Sequence, residues 1–163
     1  MGGFPWATVI VTADMNSEQK LQKLLDKAGV VHFKAYEFFV KGGSHYNARS
    51  RAYKKNTDPP DELLPSIIPT AVVLDKARRV LGTPIIISSA YRSKAYNKAI
   101  GGATSSYHMR FNATDVIASD LRELYRVLRK MRDREEFSGG LGGYSGFVHI
   151  DTRGYDATWG INY

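Results

Sequence analysis

Two stretches carry residues that can do chemistry. "SSYHMRFNATD" (105–115) sets His108 and Asp115 seven positions apart, and "GFVHIDT" (146–152) adds His149 and Asp151. Two imidazoles and a carboxylate make a three-ligand set for zinc that leaves the fourth position open to water. Zinc held that way acidifies a water and polarises a carbonyl, which is the equipment for amide hydrolysis without a nucleophilic side chain. The alternative is plainer: surface or core residues with local hydrogen bonds. His-x6-Asp is a loose spacing, and taken alone it leaves both readings open.

The elements around these residues decide whether they can meet. In "FVHIDT" side chains alternate, so Phe147, His149 and Asp151 share one face while Val148 and Ile150 supply the buried one. A polar face beside the glycines of 140–146 reads as the wall of a site. Asp115 lies in a strand-forming run, "ATDVI". An odd separation of seven puts His108 and Asp115 on opposite faces of a continuous strand, so they converge only if the chain turns or bulges between them. "RFN" can supply that turn, though nothing in it demands one.

The remaining pattern supplies the frame. "ATVIVTAD" (7–14) reads as a strand. Residues 16–29 read as a helix capped by Asn16 in capping-box register with Gln19 and stopped at Gly29. Residues 30–42 suit strand or helix, and the polar, basic 42–60 reads as a long surface loop. "SIIPTAVVLDKARRVLG" predicts a buried helix whose apolar face holds Val73, Ala77, Val80 and Leu81, with Leu74 beside it and Pro69 in the first turn. A buried strand ("TPIIISSAYRS") and a short helix ("KAYNKAI") follow. Then come the "ATDVIA" strand and an amphipathic helix capped by Ser119, with Leu121, Leu124, Leu128 and Met131 facing in. "GGLGGYSG" reads as a glycine-rich turn and "FVHIDT" as the final strand. Without a strict βαβ rhythm, the class is α+β: one domain with a small antiparallel sheet flanked by helices.

Composition sets outer bounds. The 163 residues suit one domain, and 43% hydrophobic with 24% charged residues is a globular balance. No apolar run approaches the roughly 20 residues needed to span a bilayer. The start lacks the basic region of a signal peptide. The absence of cysteine leaves any metal to His, Asp or Glu. His32 and His45 have no partner at ligand spacing and read as packing and loop residues. A net charge of +7 draws the protein to polyanions: nucleic acid, anionic lipid or a bacterial wall. No nucleic-acid motif accompanies "RSRAYKK" or "LRKMRDRE", so no nucleic-acid partner is expected.

Taken together, "SSAYRS", "YNKAIGGATSSYH", "ATD" and "GFVHIDTRG" resemble the M15 group of zinc D-alanyl-D-alanine peptidases, LAS-type wall enzymes, and within it the small M15A-like branch. The group's usual pattern is S-G-Y-R-S, a helix ending near G-G, S-x-H-x-x-G-x-A-x-D and a late V-H-x-D. The likeness spans about His32 to Gly154 and leaves 1–31 as a strand–helix extension. It implies the LAS, or hedgehog-like, peptidase fold. It also implies zinc on His108, Asp115 and His149, with Arg92 in the substrate pocket to pair with a peptide carboxylate or steady an oxyanion. Ser106 matches the serine of S-x-H and is expected to bind substrate or a ligand residue. Asp151 is expected to be either the general base or a residue that orients a histidine or a nearby arginine. Three positions depart from the pattern: Phe111 and Ala90 stand where glycines are usual, and Gly146 stands where many relatives have an acid.

The expected function is a zinc peptidase acting on peptidoglycan stem peptides or cross-links, as a D,D-carboxypeptidase or endopeptidase, possible in a phage endolysin. The alternative is a catalytically impaired wall-binding or virion-associated module that keeps the fold and the metal. A monomer is expected. It would stay cytoplasmic until lysis releases it to the wall, or be exported by a leader outside this sequence.

Overall fold

A computed structural model describes residues 15–163. The strand expected at 7–14 lies outside the described residues. Helix α1, Ser17–Lys27, begins as its sequence predicts: Asn16 accepts from the Gln19 N–H at 2.8 Å and the Gln19 side chain accepts from the Asn16 N–H at 3.0 Å. Leu21 and Leu25 are buried.

Residues 30–42 form neither strand nor α-helix. They hold a 3-10 turn at Ala35–Phe39 that sends Phe33, Ala35 and Phe38 into the core. Buried Asp75 fixes its approach by accepting from the backbone N–H groups of Val31 (3.1 Å) and His32 (2.7 Å), with the His32 ring at 3.2 Å. Segment 42–60 contains a short helix, α2 (Gly43–Tyr46), and is pinned rather than free. Buried Asn56 donates to the carbonyls of Lys41 and Tyr91 and accepts from the Ser93 N–H. His45 accepts from the Asn56 N–H, a local role as expected.

Helix α3 spans Ile68–Leu81 with Pro69 in its first turn and Gly82 in the left-handed conformation after it. Val73, Leu74 and Ala77 are buried as expected, but Val80 is 68% exposed. The buried stripe centres on Thr70, Leu74 and Ala77, which leaves Val80 at its margin in the last turn. Strand β1 (Ile86–Ser89) is also less buried than expected, because it lies at a sheet edge and Ile86 faces out. Helix α4 (Lys94–Ala99), strand β2 (Ala113–Ile117) and helix α5 (Leu121–Asp133) follow the sequence closely. The cap of α5 is Asp120, which accepts from the Glu123 N–H at 2.9 Å, in place of Ser119.

The larger correction concerns the glycines. Gly140–Gly143 is strand β3, not a turn, and after β4 (Val148–Asp151) comes one more strand, β5 (Ala157–Gly160). The sheet order is β1-β2-β4-β3-β5; all pairs are antiparallel except β3–β5, which is parallel. The α+β class stands, with a mixed sheet. Val116, Leu141, Val148 and Ile150 join Leu74, Leu124 and Leu128 in one buried cluster. At roughly 1.5–3 kcal/mol for each fully buried aliphatic side chain, this face anchors the sheet. The alternate face is left for polar residues. Arg132 on α5 is buried too, and donates to the carbonyls of Gly139 (2.9 Å) and Ala157 (2.8 Å) and to the Thr158 hydroxyl (2.6 Å).

Candidate metal centre

Asp115 and His149 face each other as directly paired residues of β2 and β4, so the sheet register alone brings them together. His108 arrives by a different route. It sits in a 3-10 turn, Tyr107–Arg110, whose first N–H groups are capped by Ser106; the Ser106 hydroxyl accepts from the His108 N–H at 3.3 Å. The turn ends at Phe111, with φ 54° and ψ 44°. That left-handed residue swings the chain into β2 and resolves the odd spacing. Phenylalanine thus takes the conformation glycine would adopt without strain, and its fully buried ring packs edge-on against Tyr91 at 6.1 Å.

Three donor atoms converge: His108 Nε2 lies 3.2 Å from Asp115 Oδ1 and 3.2 Å from His149 Nδ1, and His149 Nδ1 lies 3.0 Å from Asp115 Oδ1. The hydrogen bonds behind them fix the tautomers. His108 Nδ1 is 2.6 Å from the Ala90 carbonyl, which can only accept, so Nδ1 carries the proton and Nε2 presents a lone pair. His149 Nε2 is 2.8 Å from Asp151 Oδ2, so Nε2–H donates there and Nδ1 presents a lone pair. Two lone pairs and a carboxylate oxygen facing one another form an arrangement that calls for a cation. Tetrahedral zinc with bonds of ~2.0–2.2 Å sets its donors roughly 3.3–3.6 Å apart, a few tenths of an ångström beyond the spacing observed. The residues fit the ion.

Their electrostatics agree. Burial pushes the His108 imidazole down, toward the neutral form. Burial alone would raise the Asp115 carboxyl, but His108, His149 and Arg92 hold it well below the ordinary carboxylate range. For His149 burial works downward, yet Asp115 and Asp151 prevail and raise it. In the metal-free protein a proton therefore competes with a metal for the same lone pair.

The family model described as Peptidase M15 matches residues 31–151. The chain belongs to this peptidase family. No curated protein matches it significantly. The matched span of this M15 chain runs from just before His32 to the end of β4, near the limits the motifs suggested. It contains His108, Asp115 and His149, which are buried and able to hold a metal ion.

The other expected site residues surround this M15 centre. Arg92 pairs through Nη2 with Asp115 Oδ2, donates through Nε to Ser89 Oγ at 3.1 Å, and lines the cavity. Ser106 lines the cavity as well as capping the His108 turn. Asp151 is fully buried: Oδ1 accepts from the backbone N–H of Gly140 and from the N–H and Nε of Arg153, and Oδ2 accepts from His149 and Arg153 Nη2. It stands behind His149, on the side of the ring away from the converging donors. It holds the His149 ring and is not among the residues that line the cavity. Gly146, where the motif likeness led an acid to be expected, is exposed, with nothing within 4 Å of an added Cβ.

The cavity, about 540 Å³, opens over the centre and is also lined by Tyr107, Tyr144, Phe147, Arg153 and Trp159. Sequence reasoning assigned no role to Arg153 or Trp159. Trp159 lies 5.0 Å from the His149 ring, centre to centre, and donates from Nε1 to the Tyr144 hydroxyl at 2.9 Å. Its seat exists because β3 carries no side chain on this face: a Cβ on Gly142 would meet the indole at 2.4 Å, and one on Gly140 would meet Asp151, Arg153 and Trp159. The signal for this was the "GLGG" run itself, since small residues inside a strand mark a close approach.

Proposed function

We propose that this M15 chain is a zinc peptidase that cleaves peptide bonds in peptidoglycan stem peptides or cross-links, as a D,D-carboxypeptidase or endopeptidase. The observation that carries the reading is the set of converging lone pairs of His108, Asp115 and His149 beneath an open cavity in a chain of this family. Those three residues would hold the ion. Bound zinc supplies Lewis acidity, polarising a carbonyl and lowering the pKa of a water.

The chain's own residues do the rest. Ala90 and Asp151 hold the two imidazoles in their ligating tautomers. Arg92 anchors the second oxygen of Asp115 and lines the cavity, where a peptide carboxylate or a developing oxyanion can accept from its guanidinium. Ser106 offers a hydroxyl at the same wall. Tyr107, Phe147 and Trp159 give flat surfaces against which a peptide can lie. The net charge of +7 favours approach to an anionic wall. Release by lysis, as with a phage endolysin, fits a chain that acts outside the cell that makes it.

A second reading rests on one observation. Among the described residues lining the cavity, Asp115 is the single carboxylate and His108 and His149 the imidazoles, so the wall offers only hydroxyls and phenols to move a proton. A wall-binding module that retains the metal is consistent with this. Digestion of purified peptidoglycan by the zinc-loaded protein separates the two, with products followed by mass spectrometry beside a chelated sample and His108→Ala. Metal-dependent release of D-alanine or split cross-links identifies the peptidase and the bond. Stoichiometric zinc with no product from several wall types sinks the peptidase reading in favour of the module. A gain of activity in Gly146→Glu would then identify the missing acid.

A further inference from the structure

We propose that Arg153 is a positioning residue for the metal centre: through Asp151 it fixes the orientation of the His149 ring and thereby sets the affinity of the site. This rests on the metal reading above.

Arg153 grips both carboxylate oxygens of Asp151 with one edge of its guanidinium. Nε donates to Oδ1 at 2.8 Å and Nη2 to Oδ2 at 2.6 Å, while the Arg153 backbone N–H donates to Oδ1 at 3.2 Å. Such a two-point fork fixes the plane of a carboxylate, which a point charge cannot do. The Oδ2 atom so fixed is the one that accepts from His149 Nε2. The order of contacts is therefore Arg153, Asp151, His149, donor triangle. The guanidinium in turn has little freedom. It lies 4.3 Å from the centre of the Tyr107 ring, 5.2 Å from Trp159 and 5.5 Å from Tyr155, cation–π distances from three rings. Two of those rings lead back to the centre: Tyr107 is the chain neighbour of His108, and Trp159 packs on His149. The glycines of β3 complete the device, since a Cβ at Gly140 would come within 2.4 Å of Asp151 Oδ2 and 2.8 Å of Arg153 Nη2.

A charge-only role and a fork role differ in what lysine can do. Lysine keeps the positive charge among the rings but cannot hold both carboxylate oxygens in one plane. Zinc affinity is measured by competition with a chromophoric chelator for the parent, Arg153→Gln, Arg153→Lys, Asp151→Asn and the Gln/Asn double variant. Cobalt(II) absorption serves as a second reporter of ligand geometry. Loss of a partner that orients a ligand costs about 10–100-fold in metal affinity. Both Arg153 variants are expected to lose about that much and to alter the cobalt bands, and Arg153→Gln should add little further loss once Asp151 is Asn.

Zinc affinity within about threefold of the parent in a folded Arg153 variant overturns the proposal, since 10–100-fold is what it requires. So does a full, additive loss in the Asp151→Asn background, because Arg153 would then act by another path. If Arg153→Gln does not fold, Arg153→Lys carries the same test. A parent that binds no zinc removes the metal reading itself, a result distinct from unchanged variants of a zinc-binding parent.

Discussion

Phe111 offers the sharpest test of how the site is built. Its φ of 54° lies in the left-handed region, where a Cβ crowds the following carbonyl at a cost of roughly 1–2 kcal/mol. Its side chain is fully buried against Tyr91. Strain and burial oppose each other on substitution. Phe111→Gly relieves the strain but removes a ring whose loss from a core costs about 3–5 kcal/mol. Loss of the ring outweighs relief of the backbone, and a net destabilisation of roughly 1–4 kcal/mol is expected. For a domain of this size each kcal/mol lowers Tm by about 2–4 °C, so the fall should be roughly 2–16 °C.

That alone does not isolate the backbone; a second variant does. Phe111→Ala leaves nearly the same cavity but keeps a Cβ at positive φ. In ordinary structure alanine beats glycine by roughly 0.5–1 kcal/mol. At this position the left-handed cost should reverse the order and leave glycine ahead by about 0.5–1 kcal/mol. Urea denaturation of the metal-free variants, compared by midpoint at equal m-values, reads the sign directly. Alanine equal to or better than glycine would refute the left-handed turn at Phe111, and with it this account of how His108 reaches Asp115.

Three further outcomes follow from the same structure. Gly142→Ala places a Cβ against the Trp159 indole, so the ring must leave His149; red-shifted tryptophan emission and weaker zinc binding are expected, and unchanged emission would contradict the packing. Arg132→Ala removes the guanidinium's hydrogen bonds to the carbonyls of Gly139 and Ala157, at about 1.5–3 kcal/mol for each charged hydrogen bond lost, and should loosen β5 first in hydrogen exchange. Zinc at about 100 times its dissociation constant should stabilise the parent by about 2.7 kcal/mol, and a chelator should reverse the gain in a thermal melt.

Legibility in the sequence divided along physical lines. Alternation in "FVHIDT" put His149 and Asp151 on one face, because period-two geometry is local. The odd spacing of His108 and Asp115 required a turn, and the turn is there. The M15 motifs then named the residues that converge. What stayed hidden depends on partners distant in sequence. Gly140 and Gly142 looked like part of a turn because their function lies in the space they leave, and Trp159, Asp151 and Arg153 fill it from other parts of the chain. Arg153 stood in the quoted "GFVHIDTRG", yet its fork onto a residue two positions back is invisible until β4 ends and the chain bends. Nothing in the helical pattern marked Asp75, which is buried as the acceptor for the N–H groups of residues 31 and 32. Val80 failed for a related reason: periodicity gives the direction of a stripe and says nothing of where its cover stops.

The three donors are held by unequal means. Asp115 and His149 are opposed by the register of β2 and β4, and a slip of one residue would send both to the apolar face and Val116, Val148 and Ile150 to the cavity. The hydrophobic cluster forbids that slip, so these two donors inherit the stability of the core. His108 has no such guarantee. Its place depends on the Ser106 cap, the left-handed Phe111, the Arg92 N–H donating to its carbonyl at 3.1 Å, and the hydrogen bond from its ring to Ala90. Each of these is a single local interaction worth about a kcal/mol, and none is repeated along a ladder. Phe111 ties this weaker arm to the core by burying its ring there, which gives a physical reason for a phenylalanine where conformation alone would choose glycine. The strain at φ 54° and the buried ring are then parts of one device that seats the His108 turn against the sheet.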